Sequence, residues 1–156
     1  MRANPTVSVQ IGDFDIAAEM DALTAQDRDI GAVVSFTGLV REMTGAGAIQ
    51  TMELEHYPGM TERALEEIAE AARARWPLQG VRIIHRYGPL APGERIVLVL
   101  TASRHRQAAF EAAEYLMDYL KTHAPFWKKE SGGEGGRWVD AREADDAAVR
   151  RWDKAP

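Results

Sequence analysis

The feature that most constrains the fold is an unbroken apolar run, Ile96-Val97-Leu98-Val99-Leu100. Its β-branched residues favour a strand, and the side chains of a strand alternate between the two faces of a sheet. A strand that is apolar on both faces has to be covered on both. The run therefore predicts a central strand, deep in the protein.

Short strands and helices are predicted on both sides of this run. Strands are expected at residues 7–11, 31–40, 49–56, 81–87, 126–131 and 137–140. Helices are expected at residues 15–23, 61–76, 105–123 and 144–152, with Ser103 as the cap of the third. Short turns, among them a rigid turn at 88–93, join several strands. We predict an α+β fold with a mixed, largely antiparallel sheet and packed helices.

Composition limits the classes of function. The chain has 156 residues and 46% hydrophobic content, which suits one domain, 1–156, with room for a small β-rich sublobe. The net charge of -5 argues against a nucleic-acid partner. No cysteine is present, so a thiol nucleophile, a disulfide or a thiolate metal site is excluded. Without a signal peptide or an apolar run of membrane-spanning length, we expect a cytoplasmic protein with no membrane contact.

Three basic residues stand at the start of the third helix: Arg104, His105 and Arg106. Cations are disfavoured there by the helix dipole, and a bound anion would relieve the conflict. The alternative is three solvated side chains. The same helix is expected to bury a stripe made of Phe110, Ala113, Met117 and Leu120.

Two lysines near the end of that helix are candidates for chemistry. Lys121 lies at the edge of the apolar stripe, although lysine also simply favours a helix C-terminus. Lys128 is expected on the same strand face as Phe126 and Glu130, where partial desolvation beside a large aromatic side chain would suit it to proton transfer. Its alternative role is to protect an edge strand from aggregation.

Arg41 ends the second strand, beside a glycine-containing loop at 43–48. An arginine in this position suits recognition of phosphate or carboxylate, and it equally suits a solvated strand end. His56 and His85 share strand faces with apolar residues, so we expect them to be hydrogen-bonded and partly buried. The sequence shows no metal-ligand spacing, no Walker motif and no Ser-His-Asp signature.

These stretches together resemble the large, catalytic subunit of molybdopterin synthase. The resemblance covers residues 31–152 and includes Leu-Glu-His-Tyr-Pro-Gly-Met at 54–60 and Ala-Pro-Phe-Trp-Lys-Lys-Glu at 124–130. Further matching stretches lie at 36–41, 75–77, 84–86, 88–94, 103–106, 117–122 and 137–139. The sequence departs from the family pattern at Leu39 and in the loop 42–48.

The resemblance implies a fold, a reaction and a partner. The fold is α/β hammerhead-like. The reaction adds two sulfurs to a cyclic pyranopterin monophosphate, giving molybdopterin, and it needs no cofactor or metal. The sulfur comes from the C-terminal Gly-Gly thiocarboxylate of a small ubiquitin-like subunit. The family pattern is a homodimer that carries one small subunit at each end, a heterotetramer.

The resemblance also assigns residues to roles. Lys121 and Lys128 match the catalytic lysines of the family. The matching substrate-binding positions are Leu39, Val40, Arg41, His105, Arg106, Lys129, Glu130 and Arg142, the last in a stretch that reaches the pocket of the neighbouring subunit. A non-catalytic module that binds the acidic tail of a partner is the alternative that the basic cluster alone allows. Phosphoryl transfer lacks a carboxylate set for Mg²⁺.

Overall fold

The computed structural model describes residues 5–41, 51–131, 136–139 and 143–153. The helices are α1 (Ile16–Thr24), α2 (Met60–Arg75), α3 (Arg106–His123) and α4 (Glu143–Arg150), followed by a 3-10 turn at Arg151–Asp153. The strands are β1 (Val7–Gln10), β2 (Ala32–Leu39), β3 (Thr51–His56), β4 (Gly80–Arg86), β5 (Gly88–Leu90), β6 (Arg95–Ser103), β7 (Phe126–Ser131) and β8 (Gly136–Val139).

The first sheet has the strand order β1-β4-β6-β2, and β6 runs antiparallel to both of its neighbours. The central strand predicted at residues 96–100 is confirmed, since Leu98, Val99 and Leu100 are fully buried. Val97 and Val99 pack in a core cluster with α2 and α3. Leu98 and Leu100 pack in a second cluster with α1. Helices on both faces thus explain why this strand is apolar throughout.

The second sheet is smaller and antiparallel, in the order β5-β3-β7-β8. Its buried residues Met52, Leu54 and Leu90 form a cluster with Val40. Ile96 and Phe126 contact this cluster and also the α2–α3 core, so the two sheets are packed together through them. The predicted α+β class with a largely antiparallel sheet is confirmed.

Two local predictions are wrong. The rigid turn predicted at 88–93 contains a strand, Gly88–Leu90, because residues 88–90 pair with β3. Ser103 is not the cap of α3: it ends β6, and its hydroxyl donates to the carbonyl of Pro77. His105 is the N-cap, and it makes no side-chain capping bond.

The buried stripe predicted for α3 is confirmed at Ala113 and Leu120, which are buried, and at Met117, which packs against the core, but it is wrong at Phe110. Phe110 is 61% exposed. The helix instead places alanines against β6, where the hydroxyl of Thr101 donates to the carbonyl of Ala109 over 2.7 Å. Small side chains let the helix approach the strand this closely, which a phenylalanine on the same face would prevent. The residues buried along α3 are Ala108, Ala109, Ala112, Ala113, Tyr115, Leu116 and Leu120.

Candidate active site

The predicted site residues that the structure describes lie near the two opposite ends of α3. The helix follows β6 and runs back along it, with Ala109 beside Thr101 at one end and Leu120 in the cluster with Val97 at the other. At about 1.5 Å per residue, the path from Arg106 to Lys121 covers about 22 Å. We call residues 104–106 with Gly31 the histidine end. The lysine end comprises residues 39–41, Lys121 and residues 126–130.

The strand β2 connects the same two ends. Ala32 pairs with Ser103, beside the histidine end, and Leu39 pairs with Arg95, beside the lysine end. At about 3.3 Å per residue, the strand separates these positions by about 23 Å. Within one chain, Arg41 and Lys121 therefore lie on the same side of the molecule, and His105 and Arg106 lie on the other.

At the lysine end, the end of β2 is held by the turn at residues 91–94. The amide of Val40 donates to the carbonyl of Glu94 over 2.9 Å, and the carbonyl of Val40 accepts from the amide of Gly93 over 2.7 Å. Val40 is buried, whereas Leu39 on one side is 57% exposed and Arg41 on the other is also exposed. The backbone is thus fixed one residue before the cation.

A β-bulge precedes this anchored residue. The pairing of β2 with β6 changes between Gly38 and Leu39, from Val97 to Arg95, so Ile96 is the extra residue. A bulge bends the strand and changes the direction in which the following side chains leave it. Ile96 is also the residue that contacts both the α2–α3 core and the cluster around Val40. The bulge therefore lies where the two sheets meet.

Lys121 is exposed in the last turn of α3, directly after the buried Leu120. A cation is favoured at this end of a helix by the helix dipole. The preceding turn is held from outside, because Trp152 donates its Nε1–H to Asp118 over 2.6 Å and Arg151 pairs with the same carboxylate at 2.7 Å. These bonds with Asp118 fix the helix one turn before Lys121.

Lys128, Lys129 and Glu130 lie in β7, and the structure describes their backbone only. Lys128 pairs with Leu54 and Glu130 with Met52, both buried residues, while Lys129 pairs with exposed Glu53. Arg142 lies outside the described residues, as does the loop at 42–48. The register thus places the second lysine in the strand that borders the cluster around Val40.

An imidazole–aromatic stack holds the start of β7. Phe126 stacks on His85 with ring centroids 3.8 Å apart, and His56 lies 5.9 Å from the same ring. His85 Nδ1 donates to the carbonyl of Arg86, and His56 Nδ1 lies 3.0 Å from the hydroxyl of Thr61. Both histidines are partly buried and hydrogen-bonded, as predicted. Their structural role here is to join β3, β4 and β7.

The histidine end is packed tightly around the backbone of Arg104. A Cβ on Gly31 would collide with the carbonyl oxygen of Arg104, and the amide of Gly31 donates to the carbonyl of Ser103 over 3.0 Å. The guanidinium of Arg104 is paired with Asp29. His105 and Arg106 are exposed at the start of α3, whose first turn contains no acidic residue.

The histidine end thus presents His105 and Arg106, whereas the lysine end presents Arg41 and Lys121. Among the described residues, His, Asp and Glu form no group of three that could hold a metal ion. None of the described helices is long and apolar enough to cross a membrane.

Sequence reasoning missed the contacts of Trp152 and Arg151 with Asp118, because they join residues more than 30 positions apart. The only signal was a tryptophan and an arginine at the end of a weakly apolar helix.

Comparisons with known proteins show the family to which this fold belongs. A family model described as MoaE protein matches residues 9–123. The molybdopterin synthase catalytic subunit of Mesorhizobium japonicum is 60% identical over 151 residues, which make up 95% of this chain and 93% of that protein. The solved structure of a molybdopterin biosynthesis MoaE protein from Burkholderia ambifaria is 53% identical, with a TM-score of 0.83 over 96% of this chain and 98% of that one.

A more distant structure shares the fold. It is a protein–protein complex of subunits 1 and 2 of molybdopterin-converting factor from Helicobacter pylori. Its matching chain is 20% identical, with a TM-score of 0.71 over 89% of this chain and 92% of that one.

Fold and site define an α+β protein that presents cations from the ends of strands and helices. The comparisons are more specific, and the chain belongs to the MoaE family, whose relatives are catalytic subunits of molybdopterin synthase. The resemblance and the enzyme class predicted from the sequence are both confirmed.

Proposed function

We propose that this chain transfers sulfur to a cyclic pyranopterin monophosphate and so forms molybdopterin in the cytoplasm. The observation that carries the proposal is the lysine end of α3. There the exposed Arg41 follows an anchored strand, the exposed Lys121 ends a fixed helix, and the strand of Lys128 packs nearby. Cations on several rigid elements suit a reaction that brings two anions together.

The sulfur donor is the C-terminal thiocarboxylate of a small ubiquitin-like subunit. This chain has no cysteine, so another molecule has to carry the sulfur. The Helicobacter pylori complex joins two subunits of a molybdopterin-converting factor, and its matching chain has the present fold. A partner of this kind is therefore part of the proposal.

Each cation has a proposed role. Lys121 stabilises the negative charge that develops as sulfur leaves the thiocarboxylate. Lys128 acts as a general acid or base, with Lys129 and Glu130 beside it. Arg41, with Leu39 and Val40, binds the substrate from the strand end. His105 and Arg106 bind the phosphate, because the start of a helix favours an anion.

These roles require a second copy of the chain. About 22 Å of helix separates Arg106 from Lys121, which is too far for both to contact one small substrate. In a two-fold dimer, the histidine end of one copy can lie against the lysine end of the other. We therefore propose a homodimer in which each pocket takes His105 and Arg106 from the second copy. Arg142, which stays a predicted site residue, is proposed to reach the same pocket.

The experiment that tests the function compares two forms of the partner. The purified chain is incubated with the cyclic pterin and a small subunit that ends in a thiocarboxylate, and the dithiolene product is measured. The matched control carries an ordinary carboxylate at the same glycine. We expect product only with the thiocarboxylate. If the chain binds both forms equally well and makes no product, it is a non-catalytic module for a partner's acidic tail, and the proposal is wrong.

A further inference from the structure

We propose that Arg86 and Glu94 are positioning residues for the pterin pocket, and that they act by fixing Val40 and hence Arg41. Neither residue is among the predicted substrate-binding positions. The proposal rests on the proposed function, because it assigns Arg41 to substrate binding. Three consecutive sets of contacts connect Arg86 with Arg41, through Glu94 and Val40.

Arg86 is a buried charge whose donors are used on three different elements. Only 7% of the residue is exposed. Its Nε donates to the carbonyl of Ile11 over 3.0 Å and its Nη1 to the carbonyl of Arg95 over 2.7 Å. Its Nη2 lies 3.5 Å from Oε1 of Glu94. Arg86 therefore ties the end of β1 and the start of β6 to the turn that carries Glu94.

The turn at residues 91–94 is closed twice. The amide of Glu94 donates to the carbonyl of Ala91 over 3.0 Å, and Oε2 of Glu94 accepts from the amide of Ala91 over 2.6 Å. Pro92 and Gly93 occupy the central positions, and Gly93 has a φ of 91°. Proline followed by a glycine with positive φ is the pattern of a type II turn. The backbone of this turn is thus rigid, and Glu94 contributes both backbone and side chain.

This turn is the structure that holds the end of β2. Val40 exchanges two hydrogen bonds with Gly93 and Glu94, after the bulge at Ile96 has ended the regular pairing with β6. Glu94 therefore contacts Arg86 through its side chain and Val40 through its carbonyl. Movement of Glu94 would shift the backbone directly before Arg41. An arginine binds an anionic substrate well only when its guanidinium is correctly placed, so the pair should affect substrate affinity.

The matched control is a similar pair on the same strand. Arg82, also in β4, pairs with Glu19 at 2.7 Å and donates to the carbonyl of Pro5. Both arginine side chains are largely buried, 9% exposed in Arg86 and 13% in Arg82. Glu19 lies on α1 and makes no contact with the turn at 91–94 among the bonds that the structure describes. A general loss of stability would affect both pairs alike, and a positioning role would not.

The experiment compares Glu94→Ala, Glu94→Gln and Glu19→Ala in the full chain with its small subunit. For Glu94→Ala we expect the KM for the cyclic pterin to rise at least about fivefold, with kcat nearly unchanged. Glu94→Gln should fall between Glu94→Ala and the wild type, because its amide oxygen can still accept from Ala91. Glu19→Ala should leave KM unchanged. Hydrogen exchange of the amide of Val40 should accelerate only in the Glu94 variants.

Three outcomes would overturn the proposal. One is an unchanged KM and unchanged exchange at Val40 in folded Glu94→Ala. Another is an equal rise in KM in Glu19→Ala. The third is faster exchange at Val40 with no change in substrate affinity. If the wild type makes no dithiolene product, the proposed function fails instead. Binding of the cyclic pterin without the small subunit, together with the exchange data, then still decides whether Arg86 and Glu94 position Arg41.

Discussion

The helix dipole of α3 favours the cation at one end of the helix and opposes the cation at the other. At the lysine end, Lys121 stands where the helix dipole favours a positive charge, so its position is stable without a ligand. At the histidine end, Arg106 stands where the dipole opposes it, and no acidic residue of the first turn compensates. A cation in an unfavourable position is stabilised when an anion binds. The difference supports the proposal that the histidine end binds the phosphate and the lysine end performs the chemistry.

The two ends also differ in how firmly the neighbouring structure holds their cations. The lysine end is fixed by neighbouring structure on each side: the turn at 91–94 holds Val40, Asp118 holds α3 from outside, and His85 stacks on Phe126. Catalytic groups need such fixed positions. At the histidine end, Arg104 is tied to Asp29, whereas His105 and Arg106 are exposed. Four variants test the difference between the two ends.

The largest effect is expected from Lys121→Ala. Removing one group that stabilises charge in the transition state typically costs a factor of about 10² to 10³ in kcat. We expect that loss here, with normal affinity for the small subunit. The measurement is single-turnover formation of the dithiolene product. The control is His123→Ala, an exposed basic residue in the same turn. Near-normal turnover of Lys121→Ala would remove the chemistry from the lysine end.

A smaller effect is expected from Arg41→Ala. A hydrogen bond to a charged group is worth about 1.5 to 3 kcal/mol, which corresponds to a KM for the cyclic pterin that is at least about tenfold higher. Because binding is affected more than chemistry, kcat should change less than KM. The control is Arg63→Ala, because Arg63 is also an exposed arginine but lies on α2. Steady-state kinetics in which KM and kcat are both unchanged would exclude Arg41 from the pocket.

Arg106→Ala should have two effects of opposite sign. Without substrate, loss of a cation from the start of α3 should stabilise the fold by about 0.3 to 1 kcal/mol. Affinity for the cyclic pterin should nevertheless fall. Denaturant unfolding and a binding titration measure the two effects. Arg104→Ala, which breaks the pair with Asp29, should not stabilise the fold. A destabilised Arg106→Ala would contradict the proposed difference between the ends.

The smallest effect concerns Glu111, in the middle of α3. Hydrogen bonds from Gln107 and from Nε1 of Trp76 lower the pKa of Glu111 below its usual 4.5. A lowered folded-state pKa stabilises the fold above pH 4.5, and this contribution is lost as pH falls through the folded value. Glu111→Gln should therefore make the free energy of unfolding depend less on pH below pH 4.5. Unfolding at each pH is measured by tryptophan fluorescence. An unchanged profile would mean that Glu111 does not help to fix α3 between its two ends.

Local patterns in the sequence predicted most of the fold. The run 96–100 predicted the central strand because every one of its residues is apolar, which is the pattern of a strand that is covered on both faces. The ends of α3 were predicted to within a residue, since Pro125 prevents extension of the helix. Phe110 was placed wrongly because a 3.6-residue period defines a stripe but does not choose between neighbouring faces. The alanines at 108, 109, 112 and 113 were the relevant signal.

The site was predictable as a set of residues but not as an arrangement. Arg41, Lys121 and Lys128 were named from their positions next to turns and apolar faces, and from the resemblance. Their separation from His105 and Arg106 depends on the direction of α3 along β6, a tertiary property. Arg86 lies in a stretch that matches the family, but its contacts could not be predicted, because its partners are the backbone carbonyls of Ile11 and Arg95 and the carboxylate of Glu94. Whether each residue acts as proposed stays a prediction.

Dimers assembled from two differently tagged chains show directly whether each pocket is shared between two copies. One dimer combines Lys121→Ala in one chain with Arg106→Ala in the other. The second combines a wild-type chain with a chain that carries both substitutions. If each pocket is shared, the first dimer keeps one intact pocket and about half of the wild-type activity. The second keeps much less at a low concentration of the cyclic pterin, because one of its pockets lacks Lys121 and the other lacks Arg106. The opposite pattern, a first dimer that falls well below half activity at the same pterin concentration and a half-active second one, would show that each pocket belongs to a single chain.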